Sequence, residues 1–87
     1  MDEEKESIKK QLLVILTEEC AELSICATKY LRFGRGSTFL KKNPIELEVG
    51  DVLAAISCLV AMGAIDMEKV SSYQQAKLKR LEEILKP

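Results

Sequence analysis

The chain has 87 residues, 47% hydrophobic and 31% charged, with a formal net charge of −1. That balance excludes the basic footprint of a nucleic-acid or anionic-membrane binder, and the length predicts one domain (residues 1–87), marginal alone and suited to oligomerisation. Histidine is absent, which removes Ser-His and Cys-His nucleophiles, His-based zinc sites and Glu-x-x-His di-iron bundles, so a metal site here is expected to be largely oxygen-built, favouring Mg²⁺, Mn²⁺ or Ca²⁺.

The opening "MDEEKESIKK" contains no apolar signal-peptide region, so a cytoplasmic protein is expected. A first long helix is predicted from about Glu4 to about Leu31, with no Pro or Gly inside it. At ~28 residues it would be ~42 Å long, and such a helix needs partners along its length. "RFGRGSTFLKKNP" is the clear break, punctuated by Gly34 and Gly36, which read as turn residues rather than a phosphate loop. Asn43 is expected to cap the next helix, with Pro44 its first residue.

That second helix is predicted from about Pro44 to Met62, ending near Gly63. Its apolar run, Val52 to Ile65, falls short of the ~20 residues of a membrane span and is interrupted by Ser57. Asp66 is expected to cap a third helix, "MEKVSSYQQAKLKRLEEIL", ending before Pro87. The fold class is therefore all-α: a short protomer of about three main helices, forming a four-helix-bundle-like core completed by oligomerisation. Three cysteines (Cys20, Cys26, Cys58) form no CxxC pair and read as free, mostly buried thiols in a reducing compartment.

The acids are the anomaly. On the first helix Leu12, Leu16, Leu23, Ala27 and Tyr30 define the core direction at ~100° per residue. Glu19 falls beside Leu12 and Leu23, Glu22 lies next to Ile15 and Cys26, and Glu18 sits toward the edge. On the second helix Glu46 shares the solvent face with Gly50 and Ser57, whereas Glu48 and Asp51 fall among Val52, Ala55, Leu59 and Met62. Acids on a helix are ordinarily a solvated face or half of a surface pair, a reading that suits Glu3, Glu4, Glu6, Glu82 and Glu83. Buried ion pairs with Lys29, Arg32 or a basic residue of the third helix are an alternative for the inward acids, although four acids would need several cations. A divalent cation neutralises such a cluster best.

"EECAE", about 25 residues, then "EVGD" resembles the ExxE…ExxD signature of the all-α nucleoside triphosphate pyrophosphohydrolases, the MazG-like group. "ATKYLRFG" and "LEVGDVLAAISCLVAMGAID" extend the resemblance to small single-domain members, from about Leu13 to Leu81. The resemblance implies a Mg²⁺-dependent enzyme, with Mn²⁺ as a substitute, that cleaves a (d)NTP to the monophosphate and pyrophosphate in nucleotide-pool housecleaning. It implies Glu19, Glu22, Glu48 and Asp51 as metal ligands, and Glu18 as a further ligand or the group that orients water, so that Glu18 and Glu19 carry the catalysis. Lys29 and Arg32, followed by Arg35, are cations expected near a triphosphate; their other reading is decoration of a helix C-terminus. Lys77 and Arg80 resemble a KxxR spacing that relatives use toward phosphates, against a plain solvated face. Tyr30, Phe33 and Phe39 border a base pocket or simply pack the core, and Cys20, Met62 and Met67 read as packing or helix-start residues. A homodimer or homotetramer is expected, with no nucleic-acid or membrane partner. The competing expectation is a non-enzymatic helical oligomerisation module with a vestigial metal site.

Overall fold

The computed structural model describes residues 2–86, which are all-helical with no strand among them. The helices are α1 (Asp2–Phe33), α2 (Thr38–Lys42), α3 (Ile45–Ala61) and α4 (Met67–Ile84). Three match the predicted helices to within two residues at either end. The fourth, α2, lies inside the segment read as a break.

Local chemistry explains each boundary. Acids in the first turn of α1 and Arg32 in its last complement the helix dipole. Gly34, at φ +78°, then ends α1 by donating its N–H to the Tyr30 carbonyl at 2.9 Å. Ser37 starts α2, its hydroxyl accepting from the Leu40 N–H at 3.2 Å. Asn43 does not cap the following helix as expected. Its backbone N–H (2.8 Å) and its side-chain amide (3.1 Å) both donate to the Phe39 carbonyl, closing α2 instead. A one-turn helix leaves its carbonyls without intrahelical partners, and that demand takes Asn43. The cap position of α3 passes to Pro44, extended at φ −64° and ψ 149°.

At the far end of α3, Gly63 at φ +76° closes a Schellman turn, with bonds to Val60 and, from Ala64, to Leu59, both 2.9 Å. Asp66 caps α4 as expected, accepting from Glu68 at 2.9 Å and Lys69 at 3.5 Å.

Packing is dominated by α1 against α3. The two run antiparallel: Leu12 and Cys58 border one cleft, and at the other end the Cys26 thiol donates to the Asn43 carbonyl at 3.4 Å. Each helix offers a seam at 4-3-4-3 spacing, Leu12, Leu16, Glu19, Leu23 and Cys26 on α1 and Glu48, Val52, Ala55, Leu59 and Met62 on α3. Such spacing keeps two helices in register along one narrow stripe. Leu59 (0% exposed), Cys26 (1%), Leu40 and Ala55 are the buried apolar residues. Tyr30, one seam step beyond Cys26, was expected on the core side but is exposed, because Cys26 already meets Asn43, ahead of the start of α3, and the seam ends there.

The described chain measures 48 × 33 × 13 Å. Among the described residues the chain is flat and elongated, and little beyond the α1–α3 contact is buried. Its radius of gyration, 16.1 Å, exceeds the roughly 12 Å of a compact chain this long. Apolar side chains on the outer faces, among them Leu13, Val14, Ile25 and Leu53, are exposed, and no residue of α4 is buried. No helix of the described residues is long and apolar enough to cross a membrane.

Leu59→Ala tests the seam. Truncation of a fully buried leucine is expected to destabilise the fold by about 2–5 kcal/mol, read as a lowered urea midpoint with an unchanged slope. An unshifted midpoint would mean that the α1–α3 seam is not what holds the chain.

Candidate functional site

The antiparallel seam brings acids from two helices to one depth. Glu19 occupies the middle of the α1 seam and Glu48 the first seam position of α3, with Asp51 one turn further on. One carboxylate oxygen from each of Glu19, Glu48 and Asp51 lies within 4.8 Å of the others. Glu48 is only 7% exposed, Glu19 half-buried and Asp51 exposed.

None of the three forms an ion pair or hydrogen bond among the described residues, where the salt bridge is Lys9–Glu6 at 3.2 Å. The alternative of buried ion pairs with Lys29 or Arg32 is therefore not what the structure contains. Among the described residues no fully enclosed side-chain polar atom lacks a partner, so the unpaired Glu48 oxygens still touch solvent and are reachable by an ion.

The electrostatics follow from that geometry. Burial, then the fields of Asp51, Glu48, Glu22 and Glu18, hold the Glu19 carboxyl above its ordinary value. Burial, then Glu22 and Asp51, does the same to Glu48. Burial, then Glu48 and Glu46, pushes the Cys26 thiol up. Each charge here disfavours the next.

This donor set fits a hard divalent cation. Oxygens around one Mg²⁺ at 2.0–2.1 Å are at most about 4.2 Å apart, so little side-chain movement would gather the three. Beside them opens a cleft of about 360 Å³ in which Glu19 and Asp51 meet an apolar wall of Leu12, Ile15, Ala54, Ala55 and Cys58.

The remaining sequence-predicted residues are placed variously. Glu22 is exposed, next to the group rather than in it, and its field reaches both Glu19 and Glu48. Glu18 is exposed and its field reaches Glu19. Lys29 is half-buried, its Nζ 5.5 Å from the ring centres of both Phe33 and Phe39, and the Arg32 guanidinium stands 5.2 Å from that of Phe33. These are cation–π distances, and they tie α2 to the end of α1. Lys77 and Arg80 are exposed on α4 and are not gathered with the acids.

Two expectations need correction. Cys20 and Cys58 are exposed, leaving Cys26 as the buried thiol, because both lie off the seam or at its open edge. Phe33 and Tyr30 are exposed rather than core residues, since Cys26 already meets Asn43, ahead of α3, and both lie further along α1. The aromatic clamp on Lys29 was missed because it depends on α2. Ser37 before "TFLKK" was the capping signal that could have located that helix.

A family model described as the MazG nucleotide pyrophosphohydrolase domain matches residues 7–83. No curated protein and no solved structure matches the chain.

Raised carboxyl values mean that the folded, metal-free protein binds protons more tightly than the unfolded chain. Its stability therefore increases as pH falls from neutrality toward the ordinary carboxylate value of 4.5. In EDTA, Glu19→Gln and Glu48→Gln are each expected to raise Tm at pH 7.5 and to flatten its rise between pH 7.5 and 5.5, relative to wild type. Unchanged melting profiles in both variants would mean that the acids do not repel one another as the geometry requires.

Proposed function

This chain belongs to the MazG nucleotide pyrophosphohydrolase family, and on that premise we propose that it is a Mg²⁺-dependent nucleoside triphosphate pyrophosphohydrolase, releasing a (d)NMP and pyrophosphate. The observation that carries the reading is the convergence of Glu19, Glu48 and Asp51, from two helices, within 4.8 Å and without a protein cation.

In this reading Glu19, Glu48 and Asp51, joined by Glu22, hold Mg²⁺, with Mn²⁺ as a substitute. The ion, when bound, supplies charge neutralisation at the phosphates and lowers the pKa of water. Glu18, exposed one residue from Glu19, orients a water and takes its proton. The water oxygen bonds to the α-phosphorus, the bond to the bridging oxygen breaks, and pyrophosphate leaves with the electron pair. Phosphoanhydride cleavage asks mainly for positioning and charge stabilisation, which explains how a chain without histidine can perform it.

Lys29 and Arg32 bind phosphate oxygens from the end of α1, where aromatic contacts restrict their rotamers. The apolar wall beside Glu19 and Asp51 receives the nucleoside. The acid cleft lies open, with Asp51 and Cys58 exposed, and does not by itself enclose a nucleotide, so the functional unit in this reading is a homodimer or homotetramer. Lys77 and Arg80 reach phosphates through that assembly, since their own α4 does not carry them to the acids. The role is removal of nucleotides from the pool.

The test is product analysis. Purified protein is incubated with each common dNTP and NTP, with and without Mg²⁺, beside Glu19→Ala. Monophosphate plus pyrophosphate, dependent on both the metal and Glu19, is the expected result; failure to turn over any nucleotide by a folded protein that also shows no Mg²⁺-dependent rise in Tm would leave the helical oligomerisation module. Light scattering is expected to give two or four times the 9.7 kDa chain mass, and a monomer at working concentration would sink the shared-site part of the reading.

A further inference from the structure

A second cavity lies at the other end of α1 and shares no residue with the acid cleft. It is about 260 Å³, formed where the end of α1, α2 and the start of α3 meet, with Leu40 and Ile45 in its apolar wall. Its polar lining is Tyr30, Arg35, Lys41 and Glu46. Neither Arg35 nor Lys41 has a carboxylate within 4.0 Å among the described residues, and Glu46, on the same wall, pairs with neither. Two cations and a phenol hydroxyl thus line one cavity with no anion matched to them.

The backbone that presents these groups is well tied. Gly34 turns the chain so that Arg35 leaves the end of α1, and the Ser37 cap and the Asn43 clamp hold both ends of α2. The thiol of buried Cys26 anchors the Asn43 carbonyl. Leu40 is itself buried beneath the cavity. At roughly 30 Å³ per water, the space holds a tetrahedral oxyanion with a few waters.

We propose that this cavity is a binding site for orthophosphate, held by Arg35 and Lys41 with the Tyr30 hydroxyl as a further donor. Glu46 sets its selectivity. A carboxylate accepts hydrogen bonds and donates none when ionised, so on an anion site it tolerates only an anion that brings its own proton. Orthophosphate retains a P–OH at neutral pH and can donate to Glu46. Sulfate has no proton to offer and meets the carboxylate as a bare like charge.

The experiment uses the full chain in EDTA, at fixed pH and ionic strength, with sodium phosphate or sodium sulfate as the probe. Calorimetric titration and Tm are both read. Saturable phosphate binding is expected, with sulfate weaker; Glu46→Gln should narrow that gap. Lys41→Gln, at an exposed position, should weaken phosphate binding about tenfold or more through loss of a charge-assisted hydrogen bond, and Arg35→Ala/Lys41→Ala should abolish it with helicity intact by circular dichroism. The Glu19→Gln/Glu48→Gln variant should bind phosphate as wild type does, which separates this site from the acid cluster. The proposal is overturned if wild type shows no saturable phosphate binding, if sulfate binds equally well, or if Lys41→Gln binds phosphate unchanged.

Discussion

The antiparallel contact of α1 with α3 is the constraint on which the rest depends. It is a narrow seam at 4-3-4-3 spacing, and two of its positions hold acids where a bundle would ordinarily place leucine. Glu19 and Glu48 are thereby pressed toward each other and toward Asp51 by the same contact that buries Leu59 and Ala55. A buried charge without a partner raises its own pKa or recruits a counter-ion. Here no protein cation answers it, and burial first, then the neighbouring acids, holds the Glu19 and Glu48 carboxyls above their ordinary value. Stability of the metal-free protein and the proposed cation site are thus opposed at the same residues.

A second consequence follows from how little the chain buries. Apart from Leu40 of α2, the buried residues among those described lie between α1 and α3. The apolar residues on its outer faces stay in water, and α4 extends with no buried residue of its own. Most helical stability in a protein comes from packing an apolar face, and α4 has no buried residue. These exposed apolar faces are the observation on which the proposal of an oligomeric enzyme rests.

Charge divides the chemistry along α1. Its middle contributes acids, and its last turns, the turn that follows and α2 contribute Lys29, Arg32, Arg35 and Lys41. The small helix α2 matters beyond its five residues. Phe39 within it helps confine Lys29, and Asn43 at its end receives the Cys26 thiol, so the start of α3, and hence Glu48, is placed by contacts that begin in this loop.

Helical periodicity, Gly34, Gly63 and Asp66 sufficed to locate α1, α3 and α4, because caps and breakers act within a few residues of themselves. The inward placement of Glu19 and Glu48 was also legible, since an acid among leucines at helical spacing is visible without coordinates. Other features were not. Asn43 has both an acceptor and donors, and only the presence of α2 decided that its donors go backward to Phe39 rather than its oxygen forward to α3. Tyr30 and Phe33 looked like core residues because pattern alone does not show where the partner helix begins, and α3 starts after Asn43, opposite Cys26. Which acids meet was likewise decided in three dimensions: Glu22 and Asp51 have similar sequence credentials, but the crossing of α1 on α3 gathers Asp51 with Glu19 and Glu48 and leaves Glu22 beside them. By itself the sequence determined which residues are helical and which acids are misplaced for a solvated face, as both are properties of one helix. Only the tertiary structure decided which charges share a site, because that depends on the register between two helices far apart in the chain.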